Sequence, residues 1–367
     1  MKISCSKAEL QKGINIVSKA VPNKSSMVIL ECILIDASGD SIRLIANDME
    51  LGIESVIEGE ISEKGIIALD AKIFSEISRK LPEDIVYIES DSAMKTLIRC
   101  AKAKFNIVGK SGDDFSYLPN IEKNKPIVMS QITLRDMVRQ TIFSTSDNEN
   151  NKIMSGELFE VKENMLRLVS LDATRISIRN VELNENYNDA SVIVPGKALG
   201  EVVKILPANA DSTVDIYLTK KYISFEFDKT VIISRLIDGD FYNVDSMMSN
   251  DFSTEFSIYK KDLLDCIERS SVLIREGDKK PIIMSIKDGQ MNLRIQSFMG
   301  SMDEDLDINK RGNDIMIGFN PKFFSDALKV IDDEEINVYM INPKAPCFIK
   351  DDKESYIYVI LPVNFVA

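Results

Sequence analysis

The chain of 367 residues contains no histidine and no tryptophan. Without histidine it lacks the commonest general base and the commonest metal ligand, and it can build neither a Ser-His-Asp nor a Cys-His catalytic arrangement. A GxxxxGK[ST] phosphate-binding loop is also missing, which argues against an NTPase. These absences exclude many classes of enzyme, and we expect a protein without catalytic residues.

The cysteines and the apolar runs exclude further classes. Five cysteines are odd in number, widely spaced and never in a CxxC pair: Cys5, Cys32, Cys100, Cys266 and Cys347. They predict buried, reduced side chains and neither a disulfide framework nor a zinc site. No apolar run reaches about 18 residues, and the first twenty residues lack the apolar core of a signal peptide. We therefore expect a cytoplasmic protein with no membrane partner, no cofactor and no metal.

The composition shows an excess of acidic residues. There are 58 Asp and Glu residues against 45 Lys and Arg residues, which gives a formal net charge of −13. Such a surface repels nucleic acid on average, so any DNA binding requires cations concentrated on one face. The length predicts two or three domains, and the 44% of hydrophobic residues is typical of a globular chain.

One unit of about 125 residues occurs three times along the chain. Lys72, Lys197 and Lys322 are each 125 residues from the next, and each follows an apolar strand and precedes an amphipathic stretch. The second halves of the unit, each predicted as strand, helix and alternating strand, are 66–90, 192–218 and 315–340. The first halves, each predicted as strand followed by helix, are 2–21, 128–146 and 256–274.

Between the two helices of each unit, the alternation predicts antiparallel strand pairs with hairpin turns at 38–40 and 287–289. We therefore predict an α+β fold with three tandem domains at 1–122, 123–248 and 249–367. Each domain should contain two helices and about eight strands. A repeat of this length is too long for a solenoid, whose units run to about 20–50 residues.

The predicted helices keep cationic side chains on the face opposite their apolar stripe. In the first helix, Leu10, Ile14, Val17 and Val21 form the stripe, and the lysines lie on the far side. The cations of all six helices are Lys12, Lys19, Lys72, Arg79, Arg135, Arg139, Lys197, Lys204, Lys261, Arg269, Lys322 and Lys329.

Lysine and arginine on the outer face of a helix are often simply solvated and bind no ligand. Glu76, Glu201 and Asp326 lie four residues after the repeated lysines and could pair with them. The recurrence in six helices of an acidic chain favours instead a basic surface that meets DNA phosphates without reading bases. No zinc-finger spacing or other base-reading motif is present.

The most specific segments are VIVPGKAL (192–199), RLIDGDF (235–241), IGFNP (317–321) and the ending YVILPVNF (358–365). Together with the threefold repeat, they resemble the bacterial DNA polymerase III beta subunits, the sliding clamps, over the whole chain. The resemblance implies the DNA clamp fold, in which two helices per domain pack on antiparallel sheets. It also implies a homodimer that closes head to tail into a ring around duplex DNA and that a separate clamp-loader ATPase opens.

The resemblance further implies a groove for short apolar-tipped peptides of the replicative polymerase alpha subunit, the clamp loader, other polymerases and repair proteins. The matching positions are Met154, Leu171, Thr174, Arg175, Ile176, Met247, Asn320, Phe323, Pro346, Val359, Ile360, Leu361, Pro362 and Val363. Apolar side chains of this kind suit an adaptable pocket, although each could equally be a core residue. Ala173-Thr174, Tyr242 and Ser246 depart from the family pattern and should alter the peptide preference.

The same resemblance places ring closure between Phe105 and Ile107 of the first domain and Val272 and Leu273 of the third. Opposite charges favour this contact between two different surfaces: Lys102 and Lys104 on one side, and Asp303, Glu304 and Asp305 on the other. Lys24 and Asn148 match loop positions that contact DNA in the family.

Two other functions remain open. A carboxylate-based hydrolase needs no histidine, but no pair of acids stands out, and the missing tryptophan leaves a poor sugar platform. A structural or adhesive repeat protein that does not bind DNA is the second alternative. Retention on circular but not on linear DNA would separate a clamp from both.

Overall fold

A computed structural model describes residues 1–148, 151–207, 212–275 and 280–365. In this part of the chain it contains six α-helices and 24 strands, so the predicted α+β class is confirmed. Every repeat begins with a strand that leads directly into a helix. Its second helix also follows a strand, directly in the first two repeats and after one residue, Asn320, in the third.

The first repeat runs from β1 to β9 and the second from β10 to β15. The elements of the first are β1 (Lys2–Ser6), α1 (Lys7–Val17), β2 (Cys32–Asp36), β3 (Ile42–Asn47), β4 (Leu51–Ile57), β5 (Glu60–Glu63), β6 (Ile66–Asp70), α2 (Ala71–Lys80), β7 (Ile85–Ser90), β8 (Lys95–Cys100) and β9 (Ala103–Val108). Those of the second are β10 (Ile127–Ser130), α3 (Gln131–Arg139), β11 (Gly156–Leu171), β12 (Arg175–Pro195), α4 (Gly196–Ile205), β13 (Thr213–Leu218), β14 (Tyr222–Phe227) and β15 (Thr230–Arg235).

The third repeat runs from β16 to β24. Its elements are β16 (Thr254–Tyr259), α5 (Lys260–Ser271), β17 (Ile282–Lys287), β18 (Gln290–Ser297), β19 (Gly300–Asp307), β20 (Asn309–Gly312), β21 (Ile315–Phe319), α6 (Pro321–Val330), β22 (Glu335–Met340), β23 (Cys347–Lys350) and β24 (Tyr356–Ile360). The described strands thus number nine, six and nine, where about eight per domain were predicted. The middle repeat has fewer because β11 and β12 continue for 16 and 21 residues without a break.

Local sequence explains where the helices begin. The Ser6 side chain caps α1 by accepting the Glu9 amide at 3.2 Å, and the Asp70 side chain caps α2 by accepting the Ile73 amide at 2.9 Å. Asn320 caps α6, and Pro321 occupies the first helical position, where its missing N–H costs nothing. Leu10, Ile14 and Val17 of the predicted stripe on α1 are all buried.

The predicted hairpin turn between β17 and β18 is also confirmed. Lys287 pairs with Gln290, and the two residues between them, Asp288 and Gly289, have φ angles of 44° and 83°. Positive φ at both central positions is the signature of a type I′ turn, whose twist matches that of the flanking strands.

The chain forms two compact units, Met1–Ile132 with Glu201–Leu236 and Thr133–Gly200 with Ile237–Ala367. The first unit contains a five-stranded sheet in the order β5-β1-β7-β8-β9 and an eight-stranded sheet in the order β10-β13-β14-β15-β4-β3-β2-β6. In the larger sheet, strands of the first and second repeats meet where β4 pairs with β15, as in Leu51 opposite Ser234.

The second compact unit contains a seven-stranded sheet and a four-stranded sheet. Their orders are β11-β12-β24-β23-β22-β16-β20 and β19-β18-β17-β21. The second and third repeats meet where β12 pairs with β24, as in Ile176 opposite Val359. Helices α5 and α6 pack together over a core that includes Phe319 and Phe324, both fully buried. None of the described helices is long and apolar enough to cross a membrane.

Candidate functional site

The cations predicted to contact DNA are largely exposed on their helices. Only Arg135 and Arg139 of α3 are half-buried. The exposed ones on the helices are Lys12, Lys72, Arg79, Lys197, Lys204, Lys261, Arg269, Lys322 and Lys329. Lys19, predicted on the first helix, is exposed in a single 3-10 turn at Ser18–Ala20, because α1 ends at Val17. Lys24 and the uncharged Asn148 are exposed in loops. Most apolar residues of α1, α2, α5 and α6 pack inward in one stripe, although Ile73 of α2 is 51% exposed.

The three carboxylates four residues after the repeated lysines have other partners. Glu76 pairs with Arg79, the Glu201 carboxylate lies 2.8 Å from Lys204 Nζ, and the Asp326 carboxylate lies 2.6 Å from an Arg175 nitrogen. The exposed pair of Glu76 with Arg79 contributes at most about 1 kcal/mol, whereas the pair of Asp326 with Arg175 is largely buried. The alternative that these acids merely neutralise the repeated lysines is therefore not favoured.

Arg139 is tied to the third repeat. Its guanidinium donates to the Asp332 carboxylate at 3.2 Å and to the Val330 carbonyl oxygen at 3.4 Å, at the end of α6. The Gln140 side chain donates to the same carbonyl at 3.1 Å. Arg139 thus joins α3 to α6, and Asp332 neutralises part of its charge.

The residues predicted for ring closure in the first unit lie on an edge strand. Strand β9 ends the five-stranded sheet, with no described strand on its outer side. Its side chains alternate, so that Lys104 is exposed and Phe105 and Ile107 are partly buried, while Lys102 is exposed in the preceding turn. Val108, which was not singled out from the sequence, is 75% exposed.

Their predicted counterparts in the second unit lie on or beside β19, the edge strand of the four-stranded sheet. Asp303 and Asp305 are exposed and accept hydrogen bonds from the Asn292 side chain at 2.6 and 2.9 Å. Glu304 instead pairs with Arg269, which holds the pKa of the Glu304 carboxyl below its ordinary value.

Apolar residues also surround β19. Val272 is 80% exposed at the end of α5, and Leu273 is partly buried. The β18–β19 turn adds Phe298, which is 95% exposed, and Met299, which is 55% exposed. Sequence reasoning missed both residues. The signal was present, because a hairpin turn that carries Phe and Met in place of polar residues leaves apolar surface uncovered.

Four of the residues predicted for the peptide groove meet in one apolar cluster of the second unit. Leu171, Ile176 and Val359 are buried in it, and Met154 packs against it. The cluster also includes residues that sequence reasoning missed, Val244, Phe241 and Met248. Ile360 and Phe323 belong to the neighbouring core of the third repeat. The cluster around Leu171, Ile176 and Val359 forms an apolar layer.

The end of the chain lies at the surface of this layer. The Leu361 amide donates to the Thr174 carbonyl oxygen at 2.9 Å, and the Val363 amide donates to the Gly318 carbonyl oxygen at 2.8 Å. Leu361 remains 39% exposed and Met247 remains 47% exposed, whereas Pro362, Val363 and Pro346 are half-buried. Backbone hydrogen bonds therefore hold an exposed apolar tail in one place.

Arg175 is predicted from the resemblance as a groove residue, but it is almost buried. Its guanidinium donates to Asp172 at 3.0 Å, to Asp326 at 2.6 Å and to the Phe143 carbonyl oxygen at 2.6 Å. It also stacks on the rings of Phe143 and Phe323, at 5.4 and 4.8 Å from their centroids. Arg175 thus fixes the β11–β12 hairpin against α6 and positions Phe323. Asn320 caps the same helix.

The residues that depart from the family pattern have local partners. The Thr174 hydroxyl donates to the Asp172 carboxylate at 2.6 Å, within the turn that follows Leu171. The Tyr242 hydroxyl accepts from the Asn151 side chain at 3.0 Å. Ser246 donates to the Asn243 carbonyl oxygen at 2.8 Å.

Arg167 of β11 reaches the segment that contains Ser246. Arg167 donates to Asp245 at 2.7 Å, a residue just before Ser246 and Met247. No local pattern indicates this pair, because its members are 78 residues apart in the chain.

The described residues contain no group of three or more Cys, Asp or Glu side chains placed to hold a metal ion. All five cysteines are buried and unpaired, as the sequence predicted. Burial raises the pKa of the Cys5 and Cys266 thiols to about 12, so both stay protonated.

Three family models match the chain in consecutive order. The N-terminal domain of the DNA polymerase III beta subunit matches residues 1–119, the central domain residues 128–243, and the C-terminal domain residues 246–364. Together the three matches leave only short segments uncovered.

Relatives and solved structures agree with these matches. A Beta sliding clamp from Bacillus subtilis (strain 168) is 33% identical over 381 residues, which cover 99% of this chain and 100% of the relative. A crystal structure from Eubacterium rectale ATCC 33656, assigned to the DNA polymerase III beta subunits, has a TM-score of 0.97 and 63% identity over both full chains. The DNA polymerase sliding clamp from Bacillus subtilis has a TM-score of 0.96 and 32% identity, again over both full chains.

Proposed function

The chain belongs to the family of DNA polymerase III beta subunits and acts as a DNA sliding clamp, and we propose that two copies close head to tail into a ring around duplex DNA. Enclosure retains the DNA, so the contacts to phosphates can be weak enough to allow sliding. The observation that carries the proposal is the pair of open edge strands, β9 and β19, whose flanking charges are opposite.

Head-to-tail closure needs two different surfaces on one chain. The edge of β9 offers backbone hydrogen-bonding groups beside Lys102 and Lys104, and the edge of β19 offers the same groups beside Asp303 and Asp305. An open edge strand invites pairing with another chain, and opposite charges select the heterologous pairing over the self-facing one. Burial of Val272, Leu273, Phe105 and Ile107 would add apolar area to the contact.

For DNA, the proposal uses the predicted cations of the six helices together with Lys24 and Asn148. Lysine and arginine at phosphates fix position and carry no sequence information, as a sliding protein requires. Arg139 and Arg135 contribute less to this surface, because both are half-buried and Arg139 is bound to Asp332.

For protein partners, the proposal uses the apolar layer around Leu171, Ile176 and Val359 with the exposed side chains of Met247 and Leu361. A short peptide with apolar anchors fits such a surface, as one from the replicative polymerase alpha subunit, a clamp-loader ATPase, another polymerase or a repair protein would. The protein tethers these partners to nucleoid DNA in the cytoplasm and has no catalytic role. Neither a carboxylate-based hydrolase nor a DNA-independent repeat protein is favoured by the family match.

Light scattering at several micromolar concentrations tests the dimer. The wild-type chain should have twice the molar mass of the 41.3 kDa chain. Lys102→Glu with Lys104→Glu should raise the dimer dissociation constant by about tenfold or more, because like charges then face each other. Adding Asp303→Lys and Asp305→Lys should restore the dimer. A monomer in the wild type, or a swap that restores nothing, would count against the proposal.

A further inference from the structure

A cavity of about 160 Å³ lies in the first compact unit, where the first and second repeats meet. Its walls come from the β3–β4 turn, the segment after residue 115, and strands β14 and β15. They include Met49, Leu51, Tyr117, Leu118 and Tyr222. A cavity of about 150 Å³ can bind benzene, so this one has room for one leucine or aromatic side chain.

The backbone around this cavity repeats the backbone beneath the apolar layer of the second unit. Adding 125 to each residue number converts the β4–β15 pairing of Leu51 with Ser234 into the β12–β24 pairing of Ile176 with Val359. Gly52 opposite Ile233 likewise becomes Ser177 opposite Tyr358. The repeat thus builds the same strand frame twice, once in each unit.

The side chains on the two frames differ in shape. Met49, which corresponds to Thr174, is 57% exposed at the cavity rim, and Tyr117 is 46% exposed. Leu118 packs over Gly52, where an added Cβ would lie 2.0 Å from the Leu118 side chain, and it thereby forms the floor. Two exposed apolar side chains above an apolar floor leave surface that a ligand could cover.

The side chains also differ in charge. Glu50 corresponds to Arg175, and the Glu50 side chain is 65% exposed and lies 3.9 Å from the Arg235 guanidinium, at the outer limit of an ion pair. Asp48 precedes it in the same turn and accepts the Glu50 and Leu51 amides at 3.0 and 2.7 Å. On the other side, the Tyr117 hydroxyl donates to Asp36 at 3.1 Å. The rim therefore carries an exposed carboxylate, Glu50, only loosely paired with Arg235, where the corresponding Arg175 of the second unit is almost buried.

We propose that this cavity is a second docking site, which takes a short peptide with one leucine or aromatic anchor flanked by lysine or arginine. The anchor fills the cavity between Met49 and Tyr117, and the flanking cation meets Glu50. Charge complementarity of this kind selects partners and speeds their association. The site uses residues of the first unit only, so its test is independent of the groove proposed in the second unit.

Fluorescence polarisation at low salt, with the full-length wild-type chain, tests the site. The probe is a labelled Lys-Lys-Leu-Phe-Lys peptide, compared with Glu-Glu-Leu-Phe-Glu and with Lys-Lys-Ser-Ser-Lys. The first should bind, and Glu50→Lys should weaken it by about tenfold while strengthening the glutamate peptide. Met49→Gly should also weaken the first by about tenfold, and the fold should tolerate this change because the φ of Met49 is 77°.

Glu60→Lys is the matched control, because Glu60 is exposed on β5 in the same unit and away from the cavity. It makes the same change in charge and should leave the affinity within about twofold, which corresponds to about 0.4 kcal/mol. No binding of the lysine-leucine peptide, equal binding of the serine peptide, or equal affinity in all variants would overturn the proposal. A fall in molar mass caused by Glu50→Lys would also overturn it, since a second copy would then cover this face.

Discussion

Arg175 has a structural role in the second unit that the family resemblance did not imply. The resemblance assigned it to the peptide groove, whereas its guanidinium holds two carboxylates and a carbonyl oxygen inside the second unit. Asp326 is 151 residues away in the chain, so no local pattern could have predicted the pair. The sequence indicated that Arg175 matters in this region, but it did not indicate which side chains Arg175 contacts.

Arg175→Ala should lower the free energy of unfolding by about 3 kcal/mol, because it leaves the partly buried carboxylates of Asp172 and Asp326 without their cation. Urea denaturation followed by circular dichroism measures the change. Arg79→Ala is the control, since Arg79 and Glu76 are both more than half exposed and their pair should contribute less than about 1 kcal/mol. Equal losses in the two variants would refute the role given to Arg175.

Glu157 is a fully buried carboxyl at the start of β11. The Thr141 hydroxyl donates to it at 2.9 Å, and its other oxygen has no hydrogen-bond partner among the described residues. Burial raises the pKa of Glu157 from the ordinary 4.5 to about 8, against the smaller opposing effect of Thr141. The folded protein therefore keeps a proton that the unfolded chain releases above pH 4.5.

Because the folded state binds more protons, its stability should decrease as the pH rises from about 5 to 8. The loss approaches about 1.4 kcal/mol per pH unit for one such group. Glu157→Gln should remove this loss and leave a variant that is more stable than the wild type at pH 8 but not at pH 5. Urea denaturation of both proteins across this range is the measurement, and parallel curves would contradict the assignment.

At the scale of elements, the helices were the most predictable part of the fold. All six predicted helices are present, because each combines a spaced apolar stripe with a strand that ends at most one residue before it. Polar caps such as Ser6 and Asp70 mark the first residue. The long β11 and β12 were predicted as shorter strands, because alternation shows where a strand can exist but not where it is interrupted.

The repeated lysines allow a direct test of the basic helix faces. Replacing Lys72, Lys197 and Lys322 together with alanine should weaken binding to duplex DNA independently of its sequence. The slope of log affinity against log salt should fall by up to about 0.9 for each phosphate that is no longer neutralised. Lys353→Ala is the control, because Lys353 is exposed in the turn before β24, outside the helices. An unchanged slope in the triple variant would show that these helices do not meet DNA.

At the scale of the whole molecule, the threefold repeat could be found in the sequence but the sheets that join its units could not. In the second repeat, β15, the last of the strands β13 to β15, pairs with β4 of the first repeat. Strand β12 pairs with β24 of the third repeat. Alternating residues predict a strand without naming its neighbour, and these partners are far apart in the chain. The domain limits at 122 and 248 therefore stay a prediction.

The candidate site was predicted only in part, for a related reason. Met154, Leu171, Ile176 and Val359 do meet in one cluster, as the resemblance implied. The Arg167–Asp245 pair was missed because tertiary packing alone brings its members together. The exposed Phe298 and Met299 were missed although their place in a hairpin turn was a signal in the sequence. The family motifs indicated which side chains lie near one another better than they indicated which of them are exposed.

The central claim is topological enclosure of DNA, and retention on a closed circle measures it most directly. The protein is loaded by a clamp-loader ATPase onto nicked circular plasmid, washed with concentrated salt and then treated with a nuclease that cuts the plasmid once. A ring should stay on the circle through the salt and leave after the cut, because it slides off the ends. Loss from the circle in salt, or equal retention on circular and linear plasmid, would contradict the account.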